Sequence, residues 1–173
     1  HEIILRRFVT PRLVPIAFSA VIADLVRRSL LGTAPLFPVP EYSIVSNWEF
    51  LLYALLGIVA ALIAVAFIRS RYKCEDLFNS WKFPEYLKPA LGGLLVGFIG
   101  LYSIDLLGIG YGGIEGALTP GEFMFGTFIA LLALKFVATS LSLGSGGVGG
   151  VLTPSLFLGA MLGGAIGCAF HSL

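Results

Sequence analysis

Charge is what this chain has least of. Only 12% of its 173 residues are Asp, Glu, Lys or Arg, about half of the roughly 25% that a water-soluble globular domain carries. From Phe136 to Leu173 there is none. With 57% hydrophobic residues and a mean hydropathy of +0.95, so little solvating surface excludes an ordinary soluble domain and points to lipid. The formal net charge is +1, and no basic stripe exists to neutralise phosphates, which excludes nucleic acid as a partner. Cysteine is as scarce: Cys74 lies in a polar stretch and Cys168 in an apolar one, which makes neither a disulfide framework nor a metal motif. His1 and His171 add no ligand cluster, so no metal, no cofactor and no enzymatic reaction is expected. Apolar/polar alternation is missing too, and each apolar run is bounded by polar or Gly/Pro punctuation. The expected fold is an all-α polytopic membrane protein.

What is present is a series of apolar runs. Leu13–Leu31 reads as a first helix, in which Asp24 can pair with Arg27 or Arg28 at i+3 or i+4 spacing near its end. Residues 32–45 contain Pro35, Pro38 and Pro40 and read as a loop. Phe50–Ile68 is 19 residues without a charge. At 1.5 Å per residue it reaches about 28 Å, close to the bilayer core of about 30 Å. Arg69, Arg71 and Lys73 stop it. The excess of cations over 69–88 assigns that stretch to the cytoplasmic side, with Tyr72, Trp81 and Tyr86 at the interface. Pro89–Ile104 reads as a further helix carrying a Gly93/Gly97 GxxxG spacing for close packing. Gly108–Thr119 reads as a loop or short re-entrant helix. Thr119-Pro120 looks like a helix start, with Glu122–Leu143 following and Lys135 as its one cation; pairing or snorkelling of that lysine is favoured over anion binding. The last helix, Thr153–Phe170, carries Gly159/Gly163 and Gly163/Gly167 spacings that call for tight packing on one face.

Five glycines fall between Leu143 and Val151: Gly144, Gly146, Gly147, Gly149 and Gly150. Thr153-Pro154 then reads as N-cap and first helical residue. Such a helix start leaves N–H groups without intrahelical partners and carries partial positive charge, which suits an anion. Gly144–Gly149 also fits GxGxxG, but that fingerprint needs a preceding strand in a soluble βαβ unit, and a P-loop lacks its Lys-Ser/Thr here. Irregular backbone at membrane depth persists only where protein buries it or a water-filled cavity borders it, and broken helices of this kind mark transporter ion sites. The plainer alternative is a tight turn outside the membrane.

The stretch GSGGVGGVLTPSLFLGA resembles the GSGxxGGxFxPxLxxGA signature of the chloride channel and chloride/proton antiporter (CLC) family. Gly144, Ser145, Gly146, Gly149, Gly150, Pro154, Leu156, Gly159 and Ala160 fall in place. LKFVATSLSLGSGG puts Lys135 where the family has a basic residue, GIGYGGIEGAL resembles the loop before a short helix, and Glu2 resembles the acid that ends an earlier pore-side helix. The resemblance covers essentially the whole chain. It implies a homodimer with one pore per subunit, each subunit built from two inverted repeats. Residues 1–31 would be the end of the first repeat and 47–173 part of the second. It further implies that the amides of Val151 and Leu152, in a loop and helix start formed by Gly146, Gly147, Gly149, Gly150, Thr153 and Pro154, donate to chloride or another small anion. Glu2 would be a proton-pathway or structural acid. Leu152 stands where the family usually has Phe. The GSGIP motif, the gate glutamate of GxEGP and a late pore tyrosine have no counterparts in the chain. Ile3 falls where proton-coupled members carry a second glutamate, which favours passive conduction over proton exchange. Segment 13–31 would contribute to the dimer interface. The start at His1, without a leader peptide, and the stop at Leu173 inside an apolar run are expected of a piece of a longer chain.

Two other classes compete with this reading. A membrane enzyme or solute transporter of another family needs an intramembrane carboxylate pair or histidine cluster, and Asp24, Asp105 and Glu115 all stand near segment ends. A purely structural membrane subunit would use its GxxxG faces for packing alone, and a glycine break placed just before Thr-Pro argues against that.

Overall fold

A computed structural model describes residues 10–33, 37, 46–119 and 121–171, with the side chains of residues 10–13 and 171 outside the description. Glu2, Ile3, Pro120 and most of the proline-rich 32–45 stretch lie outside the described residues. Among the described residues every regular element is a helix or a 3₁₀ turn, and there is no strand. The chain divides into two units, His1–Pro38 and Val39–Leu173.

The first unit holds α1, Thr10–Leu31. Its charged end is internally paired: Asp24 accepts from Arg27 Nε at 3.2 Å and from Arg28 Nε at 2.6 Å. Both spacings that the sequence offered are used at once.

The second unit contains α2 (Trp48–Ser80), α3 (Lys88–Gly100), α4 (Tyr111–Leu118), α5 (Phe125–Gly144) and α6 (Leu152–His171), with 3₁₀ turns at Glu85–Leu87 and Ile104–Leu106. Among the described residues, three helices are long and apolar enough to cross a membrane: Trp48–Ser80, Phe125–Gly144 and Leu152–Phe170. The polar stretch after Ile68 is not a loop to begin with. α2 runs on through it to Ser80, because Arg69–Asn79 contains no Gly or Pro and offers an Arg71–Glu75 pair at i,i+4 spacing. α3 stops at Gly100 rather than Ile104, and Ser103 caps a 3₁₀ turn through its Oγ, which accepts from the Asp105 N–H.

The Thr119-Pro120 signal does not open a helix. Thr119 closes α4 instead: its N–H and its Oγ1 both donate to the Glu115 carbonyl, and α5 begins only at Phe125. The core of this unit is α5, which packs against α6, α2 and α3. In lipid such packing is held by van der Waals fit rather than by expulsion of water, so close approaches matter most. They occur one residue away from the expected spacings. Gly92, not Gly93 or Gly97, abuts Ser145, and Gly164, not Gly159, Gly163 or Gly167, abuts Phe128. One residue turns a helix by about 100°, so the glycines of the GxxxG spacings face away from these contacts.

Candidate functional site

The glycine break joins α5 to α6, and its residues fall into two groups. Gly144 meets α2, since a Cβ there would lie 2.5 Å from Cys74 Cβ. Ser145 caps α5 and is buried against α3, its Oγ donating to the Ser142 carbonyl at 3.0 Å. Gly146 takes φ +92, a conformation that costs a residue with a Cβ but not glycine. The Gly146 N–H donates to the Leu143 carbonyl at 3.2 Å and the Gly147 N–H to the Ser142 carbonyl at 3.0 Å. These are the two bonds of a Schellman stop. Gly146 and Gly147, expected in the anion-site loop, spend their own amides on ending α5.

From Val148 the pattern reverses. The N–H groups of Val148, Gly149, Gly150, Val151, Leu152 and Thr153 donate to no acceptor among the described residues. The first bond of α6 is the Ser155 N–H to the Val151 carbonyl at 3.1 Å, reinforced by Ser155 Oγ at 2.8 Å. Leu152 is therefore the first helical residue, and Thr153 and Pro154 are the second and third. Thr153 is not the N-cap. Pro154 fits because a proline in the first turn removes a donor that has no intrahelical partner in any case. A run of six unpaired donors ending on the N-terminus of a 20-residue helix gathers hydrogen-bonding capacity and partial positive charge without a formal charge.

The expected site residues do not share one cavity. Gly149, Gly150, Thr153 and Pro154 line a cavity of about 310 Å³ together with Lys135 and Thr139. Val151 borders an apolar cavity of about 350 Å³ between α2 and α6, beside Phe67 and Leu158. Leu152 turns outward, 85% exposed. Glu2 is outside the described residues.

Lys135 sits beneath the first of these cavities, 1% exposed. Its Nζ donates to the carbonyls of Asp105 at 3.3 Å, Leu106 at 3.0 Å and Gly108 at 3.0 Å, and lies 4.9 Å from the centre of the Phe157 ring. All three N–H groups are engaged, so the ammonium is a clamp and not an anion ligand. It ties α5, the turn before α4 and the second turn of α6 together. Pairing was legible from the need of a membrane cation for a partner; that the partners are carbonyls was not. Phe157, which completes the clamp and is fully buried, carries no mark that separates it in sequence from any other apolar residue of α6.

A family model described as voltage gated chloride channel matches residues 1–173. A putative chloride channel protein, ClcB-like, of Ralstonia nicotianae is 36% identical over 172 residues, which take in 99% of this chain and 40% of the relative. Chloride channel proteins CLC-e and CLC-f of Arabidopsis thaliana are 34% and 38% identical over 160 residues each, 88% of this chain and 22% and 20% of theirs. The chain thus spans two fifths or less of the length of these curated relatives. No solved structure matches it.

Proposed function

The chain belongs to the voltage-gated chloride channel family and is part of an integral, multi-pass membrane protein, and from that premise we propose that the full polypeptide carries chloride across the bilayer, with the anion held by the backbone amides of Val151 and Leu152. The observation that carries this reading is the unpaired run of N–H groups ending at the start of α6. A dehydrated anion needs several donors at once, while fast passage needs each site to hold it weakly. Amides and a helix dipole meet both demands, because neither carries the full charge that would trap the ion. The buried cation lining the same cavity, Lys135, has its three N–H groups directed to backbone carbonyls, and from Phe136 onward the sequence holds no charged side chain.

The mode we propose is passive conduction, on the strength of Ile3 following Glu2, in a homodimer. The experiment is chloride flux in liposomes holding the full-length polypeptide, with external pH recorded at the same time. Chloride movement without protons is the expected result. A stoichiometric proton counter-flow would establish an exchanger and overturn the weight given to Ile3. Absence of any chloride-dependent flux would overturn the transport reading itself.

A further inference from the structure

Two lysines of the second unit are buried, in opposite ways. Lys135 has an acceptor for each N–H. Lys88, 7% exposed, has no hydrogen-bond acceptor and no carboxylate within ion-pair distance among the described residues. It is also the first residue of α3, where the positive end of the helix opposes a cation. Its carbon stem is covered while the ammonium keeps an opening to solvent, at a helix end that disfavours a cation. An anion at that opening would relieve the repulsion.

Lys88 faces a cleft of about 430 Å³ whose walls include Arg71, Glu75, Glu85 and the Gly144–Gly147 stop of α5. Arg71 supplies a second unmet donor. Its Nε is buried with no partner, while one Nη only approaches Glu75 at 3.8 Å and the guanidinium lies 5.1 Å from the Tyr72 ring centre. The carboxylates sit toward water: the Glu75 side chain is 43% exposed and Glu85 is exposed. Formal charges in the cleft cancel, and Arg71 and Glu75 are comparably exposed, at 36% and 43%. The Arg71 Nε is nevertheless sealed without an acceptor, and Lys88 is the most covered charged residue of the lining.

We propose that this cleft binds a phosphate group, gripped by the Lys88 ammonium and the Arg71 guanidinium, on the side of the membrane that the 69–88 cations mark as cytoplasmic. A guanidinium fork matches a tetrahedral oxyanion bidentately, and lysine serves phosphate as a point charge. The volume lies within the range of small-molecule sites and far exceeds what a monatomic halide fills. Because Gly144–Gly147 form one wall, an occupant bears directly on the stop that precedes the open amides. Phosphate there regulates the anion path without lying on it.

The phosphate can come from a lipid headgroup or from a soluble ligand, and the test separates these sources. The full-length polypeptide in nanodiscs of phosphatidylcholine alone is titrated with radiolabelled inorganic phosphate. A parallel preparation carries a phosphatidylinositol phosphate in the bilayer. Saturable binding of either probe is expected, weakened about tenfold or more by Lys88→Met, and also by Arg71→Lys, which keeps the charge but loses the fork. Free phosphate binding identifies a soluble ligand; retention of the lipid alone identifies a headgroup. If Lys88→Met does not fold, Arg71→Lys and competition by sulfate on the unaltered protein decide the matter. No saturable binding of either probe, or equal binding in the variants, would overturn the proposal. So would a Lys88→Met effect on stability that neither probe changes, since an acidic side chain elsewhere in the polypeptide would then be the partner. No flux is measured, so the outcome is independent of the chloride reading.

Discussion

The two halves of the glycine break are both glycine-rich and do opposite things. In Gly144–Gly147 the bare Gly144 lets α5 press on α2, Ser145 seats against the bare Gly92 of α3, and Gly146 takes the positive φ that turns two amides back onto α5. In Gly149–Gly150 nothing intramolecular demands glycine. A Cβ at Gly149 would meet Leu143 at an ordinary 3.5 Å, and one at Gly150 would meet nothing within 4 Å. Neither residue has a positive φ, and their N–H groups are unspent. Glycine density alone therefore does not define an anion loop. The first half satisfies the backbone it contains, and the second leaves its backbone unsatisfied at the mouth of a helix.

The largest expected effect comes from removing what holds both halves in place. Lys135→Met keeps the apolar stem but orphans the carbonyls of Asp105, Leu106 and Gly108. A buried acceptor left without its donor costs about 1–3 kcal/mol, and three acceptors lose theirs together. Thermal unfolding of the full-length protein in detergent should show this loss, with Lys135→Arg recovering part of it. An unchanged midpoint would mean that the clamp is incidental and that the break is positioned by packing alone.

Leu152→Pro separates the halves by function. It deletes one unpaired donor, at a helix position that proline tolerates well, and removes a side chain that is 85% exposed. Stability should hold, while halide affinity falls by about 1.5–3 kcal/mol, the worth of a hydrogen bond to a charged group. Unchanged affinity and selectivity would take the anion away from this amide. Gly146→Ala is the mirror experiment. The left-handed conformation at φ +92 penalises a Cβ by about 1–2 kcal/mol, so the unfolding midpoint should drop while the protein that remains folded keeps its halide affinity. A fall in affinity without loss of stability would put Gly146 among the ligand-facing residues after all.

Much of this was readable before any coordinates. The uncharged run 50–68 had to span, the Asp24 pairing followed from spacing, and the glycine break followed from five glycines before a Thr-Pro. What could not be read was direction. Gly92 and Gly93 are adjacent and chemically identical, yet only the first meets Ser145, because the partner helix sets which face is crowded. Thr119-Pro120 and Thr153-Pro154 are the same dipeptide. Thr119 closes a helix and Thr153 lies inside the first turn of one, since what precedes each pair, a short helix or an extended loop, decides its role. That Gly146 and Gly147 spend their amides on a Schellman stop depends on where α5 ends, and helix ends are the least legible feature of a sequence.

The smallest effect belongs to Gly150→Ala, and it tests the comparison most directly. The added methyl has open space, no φ penalty and no backbone bond to disturb. Unfolding should therefore shift by no more than about 0.5 kcal/mol, as for a surface change away from any special feature. The amide of Val151 stays in place, so halide binding should persist with at most a few-fold loss, reflecting a methyl beside the path of approach. If the midpoint instead falls as far as for Gly146→Ala, another part of the polypeptide must press on Gly150. Both halves of the break would then be packing devices, and the unpaired amides would be covered by protein rather than by an anion.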